Sequence, residues 1–334
     1  MTDIPTIAII GCGAISEYYY LPAIKRYHDI VEQLTLVDTD EHRLRTIATV
    51  FGTEKAITDY HSVLGEVDGV IVATPHSTHH RIAMDFLREG AHVLCEKPLA
   101  TSASDAREMV LQAERSGVTL SVNNIYRLYP SFQRVKKLLS DQSFGKIHSI
   151  TYLDGENFDW PTASGFYFDR KAAKGVLLDK GAHALDTICW WIGHKPTLVS
   201  CQTDSFGGPE AAALVKFQHE CLEGEVRLSW LAKLQNHYRI ECERGSISGG
   251  TTDWGRITVT SGGRRPMVME VDLRNNPQSI MREKTVDNFL NVIRGKSEPL
   301  VPAKEVVDSI ELIEQSYTIA TRFDMPWCNN VERI

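Results

Sequence analysis

Residues 5–10, PTIAII, form an isoleucine-rich run that stops at Gly11-Cys12-Gly13 and passes into a helix-like segment reaching about His28. A strand apolar at consecutive positions suits a parallel sheet covered on both faces. Gly11 permits a tight turn at the strand end, and Gly13 lets the backbone approach a pyrophosphate at the helix N-terminus. The third fingerprint position is Ser16 rather than Gly or Ala, so the turn alone is a weak signal.

The downstream sequence strengthens it. A second run, EQLTLVD, ends in Asp38, where a carboxylate accepts from an adenosine ribose and repels a 2′-phosphate. That favours NAD, with NADP the weaker expectation; the plain alternative is that Asp38 only caps the next helix, TDEHRLRTIATVF. Further strands are expected at 68–75 (DGVIVATP), 92–98 (HVLCEKP) and 119–124 (TLSVNN), with helices at about 77–90 and 102–117. Such alternation predicts a doubly wound parallel sheet, whose ligands gather at the strands' carboxyl ends. That edge carries Thr74, Pro75, His76, His79, Glu96, Lys97, Pro98, Asn123 and Asn124.

The chain's 334 residues exceed one ordinary core and suggest two domains, drawn here at 1–124 and 125–334. From about residue 146, alternating aromatic-rich segments read as consecutive strands of an antiparallel meander, closed by helices at about 280–294 and 303–322. A net charge of −7 argues against a nucleic-acid partner. No apolar run is long enough for a membrane span, and the first residues lack a signal-peptide pattern, so a cytoplasmic location is expected. Seven cysteines without a Cys-x-x-Cys pair indicate neither a disulfide framework nor a metal site.

In GVLLDKGAHALD, residues 175–186, Asp179, His183 and Asp186 recur four and then three positions apart, which puts them on one helical stripe. A histidine starts near the pKa that a general base needs, and either neighbouring carboxylate could fix its tautomer. The preceding loop carries Phe158, Trp160, Phe166, Tyr167 and Phe168, then Arg170, Lys171 and Lys174. Aromatic faces stack on sugar rings and basic groups hold phosphate or carboxylate, although packing of the loop would explain the aromatics equally well.

GCGAIS, ATPHSTHHRIAMDFLREGAHVLCEKPLA and GVLLDKGAHALD, in that order, resemble the Gfo/Idh/MocA oxidoreductases over essentially the whole chain. The resemblance implies an α/β protein with an N-terminal Rossmann domain and a C-terminal α/β domain built on a large, mostly antiparallel open sheet. It implies an NAD(P)-dependent dehydrogenase or ketoreductase acting on a ring hydroxyl of a sugar, sugar derivative or cyclitol, and a homodimer or homotetramer. Lys97 matches the family's catalytic lysine, and Asp179 and His183 match its acid–base pair. The sequence does not separate Lys97 from His183 as the primary proton-transfer group.

Gly11, Gly13, Ala14, Ile15, Asp38, Thr74, Pro75, His79, Glu96, Lys97 and Pro98 are the expected cofactor contacts. Lys97, Tyr126, Arg127, Trp160, Asp179 and His183 are the expected substrate contacts. Ile125 stands where the family often has asparagine. Two other classes stay open: a glycosidase that oxidises its sugar transiently on retained NAD, and a dinucleotide-binding sensor without catalysis. The presence of Lys97, Asp179 and His183 together counts against the sensor.

Overall fold

The computed structural model describes residues 4–162, 165–169, 174–270 and 277–324. Its first half is a six-stranded parallel sheet of β1 (Thr6–Ile10), β2 (Gln33–Val37), β3 (Lys55–Ile57), β4 (Gly69–Val72), β5 (His92–Cys95) and β6 (Leu120–Val122), in the order β3-β2-β1-β4-β5-β6. β1 lies between β2 and β4, and Ile7, Ala8, Ile9 and Ile10 are all buried, as a strand covered on both faces requires. The order reverses between β1 and β4, which opens a crevice at their carboxyl ends.

The first crossover is irregular. Residues 14 and 15 are helical, Ser16–Tyr20 make a π turn, α1 (Leu21–Ile24) restores α geometry, and Lys25–Ile30 tighten into a 3₁₀ turn. The π turn lets two consecutive side chains, Tyr19 and Tyr20, enter the core together. Later crossovers are regular. α2 (Glu41–Phe51) and α4 (Ala103–Ser116) start at N-caps Asp40 and Ser102, and α3 (His79–Arg88) precedes β5.

After α5 (Pro130–Ser140) the chain builds a sheet with nine strands among the described residues. They are β7 (Ile147–Gly155), β8 (Thr197–Thr203), β9 (Ala212–His219), β10 (Leu222–Ser229), β11 (His237–Cys242), β12 (Gly245–Gly250), β13 (Arg256–Ser261), β14 (Met267–Glu270) and β15 (Thr321–Arg322). Their order is β14-β13-β12-β11-β7-β10-β9-β8-β15. The expected single meander is therefore two meanders separated by β7, which pairs parallel with β10 and antiparallel with β11. Alternation within a strand reports its two faces but not its neighbours, so the sequence pattern could not place β7. Between β7 and β8 run α6 (Val176–Asp179) and α7 (Gly181–Ile192), which pack Leu177, Leu185 and Ile188 onto the sheet's inner face.

The chain then returns to the first sheet. In α8 (Pro277–Ile293), Val286, Phe289 and Leu290 join the cluster that holds Ile7, Ile9 and Leu36. Gly69 opens β4 because a side chain there would lie 2.4 Å from Ile293 of that helix. Val301 accepts from the Val122 N–H at 3.0 Å before α9 (Val307–Ile319) closes the fold. Among the described residues, no helix is long and apolar enough to cross a membrane.

Candidate active site

A cleft of about 660 Å³ runs from the carboxyl ends of β1, β2, β4 and β5 to the loop after β7 and the α6–α7 junction. Gly11 shapes its floor. Its φ of +99° lies in the left-handed region, and a Cβ would stand 2.4 Å from the Ala73 carbonyl oxygen, so no other residue fits. Its N–H donates to Val37 O at 2.8 Å, and the Ser16 hydroxyl donates to its carbonyl at 2.5 Å. Ser16 thus ties the turn to the helix from the position where the fingerprint has a small residue.

Asp38 lines the cleft and accepts from the Cys12 N–H at 2.6 Å and the Asp40 N–H at 2.9 Å. It does not cap α2: Asp40 does, accepting from the Arg43 N–H at 3.0 Å. Asp38 is free of the capping duty and braces the glycine turn from the next strand. A Cβ on Gly13 would meet nothing within 4 Å, which leaves room beside the turn. The floor, the open flank at Gly13, the helical start at residue 14 and the carboxylate on the rim fit an adenine dinucleotide, with Ala14, Ile15, Thr74 and Pro75 also lining the cleft.

At the far end, Lys97 Nζ lies 2.5 Å from Asp179 Oδ1 and 3.3 Å from the Asp179 carbonyl oxygen. Trp230 Nε1 donates to Asp179 Oδ2 at 3.2 Å. Burial alone would raise the Asp179 carboxyl, but the Lys97 ammonium outweighs it and holds the group below the usual carboxylate range. Glu96 is buried behind this pair. Tyr20 and Asn123 donate to its Oε1, each at 2.6 Å, and the Lys97 N–H donates to Oε2 at 3.1 Å. Burial pushes the Glu96 carboxyl upward.

His183 lines the same end, stacked on Tyr126 with ring centroids 4.2 Å apart and planes 8° from parallel. Burial, and then the charge of Lys97, holds its pKa well below the usual histidine value, so the ring is neutral. The expectation that a carboxylate holds this ring is corrected: Nδ1 is buried without a hydrogen-bond partner among the described residues. Asp186 is engaged elsewhere. Its oxygens accept from Arg127 Nε at 2.8 Å and a terminal Arg127 nitrogen at 2.7 Å.

Three further expectations change. Arg127 is 4% exposed, binds Asp186 and Glu305, and is not among the cleft-lining residues, because a buried guanidinium needs its carboxylates. His79 is fully buried behind the cleft, with Nδ1 2.8 Å from Pro98 O and Nε2 2.8 Å from Thr74 O, so it braces two cleft segments without lining the cleft. Pro98, joined to Lys97 by a cis peptide bond, likewise lies outside the lining.

Of the loop aromatics, Phe158, Trp160, Phe166 and Tyr167 line the cleft, and Phe166 and Tyr167 meet the His76 ring edge to face. Phe168 is 63% exposed. Lys174 is used locally, donating to Thr101 O at 3.1 Å. Arg170 and Lys171 lie outside the described residues.

Sequence reasoning missed Lys180 and Trp230, both cleft residues. A charged residue inside the apolar run GVLLDKGAHALD was the available signal for Lys180; Trp230, just past β10, had none.

Comparison with known proteins agrees with the two-sheet fold. Residues 6–124 match the Gfo/Idh/MocA family described as an oxidoreductase family with an NAD-binding Rossmann fold, and residues 132–248 match its C-terminal domain. A 1,5-anhydro-D-fructose reductase of Ensifer adhaerens is 29% identical over 199 residues, which cover 56% of this chain and 56% of that one. The chain thus spans about half the length of that relative. A D-xylose 1-dehydrogenase (NADP(+)) of Haloferax volcanii is 24% identical over 93% of this chain and 96% of its own. The crystal structure of an aldose-aldose oxidoreductase from Caulobacter crescentus, complexed with glycerol, superposes with a TM-score of 0.80 at 21% identity, covering 95% of this chain and 97% of that one.

Proposed function

The chain belongs to the Gfo/Idh/MocA oxidoreductase family, and from that premise we propose that it moves a hydride between a nicotinamide dinucleotide and a ring hydroxyl or ketone of a sugar, sugar derivative or cyclitol. The observation that carries this reading is the Lys97–Asp179 pair, closed at 2.5 Å on the cleft that also holds Gly11, Asp38 and neutral His183. A bound nicotinamide would supply the hydride acceptor or donor. Gly11, Gly13, Ala14, Ile15, Asp38, Thr74 and Pro75 would hold the dinucleotide. Asp38 would set a negative charge against the extra phosphate of NADP, which supports NAD as the cofactor.

The proton chemistry falls to Lys97 and His183. Neutral His183 has a lone pair for the hydroxyl proton, and the nearby Asp179 carboxylate stabilises the imidazolium that results. Lys97, oriented by Asp179, donates to the same oxygen and stabilises alkoxide character as the carbon is oxidised. Glu96, which also lines the cleft, accepts from the Lys97 N–H and so holds the lysine's backbone.

The expected setting is the cytoplasm and the expected assembly a homodimer or homotetramer. The test is nicotinamide absorbance when the protein meets NAD and a panel of sugars and cyclitols, with Lys97→Met protein alongside. Substrate-dependent NADH formation in the wild type only is the expected result; none in either direction, with NAD bound, removes the reading.

A further inference from the structure

Lys180 follows Asp179 directly and takes no part in the chemistry above, yet it is a lysine only 9% exposed on the wall of the cleft. Burying an ammonium costs several kcal/mol unless carboxylates compensate it. Two do: Asp154 Oδ1 lies 3.1 Å from Nζ and Glu156 Oε1 lies 2.7 Å from it. Their charges outweigh the burial that would lower the Lys180 pKa, and the ammonium is held above its ordinary value.

The two carboxylates are not equivalent. The Asp154 side chain is 2% exposed, whereas that of Glu156 is 56% exposed and lines the cleft beside Lys180. A purely structural ammonium would be served by the buried partner; the second carboxylate brings the pair to the cleft surface. Of the three N–H donors on Nζ, two are taken, and the third has no partner among the described residues. Glu156 keeps acceptor capacity on its carboxylate. A donor and an acceptor thus stand side by side at the end of the cleft that holds Asp179 and His183.

A hydroxyl group, which both accepts and donates, completes such a pair. A carboxylate or phosphate does not, because one positive charge here faces two negative ones. We propose that Lys180 and Glu156 read a second hydroxyl of the substrate, next to the reacting one, and so select an uncharged polyol over a uronate or sugar phosphate. The inference rests on the oxidoreductase reading for what reacts, but its test does not depend on turnover.

The full chain saturated with NADH cannot oxidise an alcohol, so binding is read without reaction. Calorimetry would titrate D-glucose, D-xylose and myo-inositol, and then D-glucuronate and D-glucose 6-phosphate, into wild type, Lys180→Met and Glu156→Gln. At least one neutral probe is expected to bind wild type, with the charged probes about tenfold weaker or worse. Each substitution should weaken the neutral probe about tenfold, as loss of a charge-assisted hydrogen bond does, while NADH affinity stays unchanged.

No binding by any neutral probe, charged probes binding as tightly, or wild-type affinity in Glu156→Gln would each overturn the proposal. Glu156 is exposed enough that its substitution spares the fold, so this arm decides even if Lys180→Met does not fold. If Lys180-dependent binding is found but NAD is never reduced, the oxidoreductase reading fails and the hydroxyl-reading pair stands.

Discussion

Lys97 and Asp179 are 82 positions apart in the chain and 2.5 Å apart in the fold. The lysine hangs from the end of β5 in the parallel sheet, and the aspartate ends α6 on the inner face of the second sheet. The pair therefore assembles only when both halves of the molecule are folded and docked. A single contact both closes the cleft and sets the lysine's direction.

On the proposed chemistry, substitution of Lys97 by Met removes the donor to the reacting oxygen. General acid–base groups contribute about 10²- to 10⁴-fold to rate, and kcat should fall within that range. NADH affinity, measured by fluorescence, should stay near wild type. Asp179→Asn should also lower kcat, because it removes the charge that orients Lys97 and stabilises a protonated His183. Turnover near wild type in both variants would remove the site assignment.

Asp38 supplies a second prediction. Its carboxylate is fixed by two backbone N–H groups, from Cys12 and Asp40, and on the proposed reading would stay in place against a 2′-phosphate. Asp38→Ala should reduce the preference for NAD over NADP by about tenfold, or ~1.4 kcal/mol, read as the ratio of kcat/KM for the two. An unchanged ratio would mean that the ribose is recognised elsewhere.

The parts legible in the sequence were those governed by local periodicity and short motifs. The runs at β1, β4 and β5 announced a buried parallel sheet, and the residues ending them, Gly11, Thr74 and Lys97, do line the cleft. What the sequence hid was long-range pairing. Asp179 and Asp186 stood at the same kind of helical spacing from His183, but Lys97 takes one and Arg127 the other, from elements far away in the chain. Arg127 was expected at the substrate from the family resemblance and its place after the sixth strand; its 4% exposure and its pairing with Asp186 and Glu305 make it a buried ion pair instead.

That ion pair gives a third prediction, which separates a structural arginine from a substrate-binding one. Arg127→Met leaves Asp186, 1% exposed, as an uncompensated buried charge. Removing one partner of a buried pair costs about 3–5 kcal/mol, and urea unfolding should show a loss of that order. KM for substrate in the folded fraction should stay within about twofold, well under the tenfold that ~1.4 kcal/mol represents. A large rise in KM with intact stability would return Arg127 to the substrate.

The last prediction concerns pH. His76 and His183 both line the cleft, and burial first, then the charge of Lys97, holds both well below the ordinary histidine pKa of about 6.5. The folded protein keeps these rings neutral at a pH where the unfolded chain protonates them. Between about 6.5 and the lower folded values the unfolded state therefore binds more protons, and stability rises with pH there. Stability from these two groups is complete above about pH 6.5 and is lost on acidification below it, at up to about 1.4 kcal/mol per pH unit for each ring. Urea midpoints at pH 7.5 and 5.5 for wild type, His76→Gln and His183→Gln measure the effect, and each variant should lose less stability on acidification than wild type does. Equal losses in all three proteins would show that other groups carry the acid sensitivity.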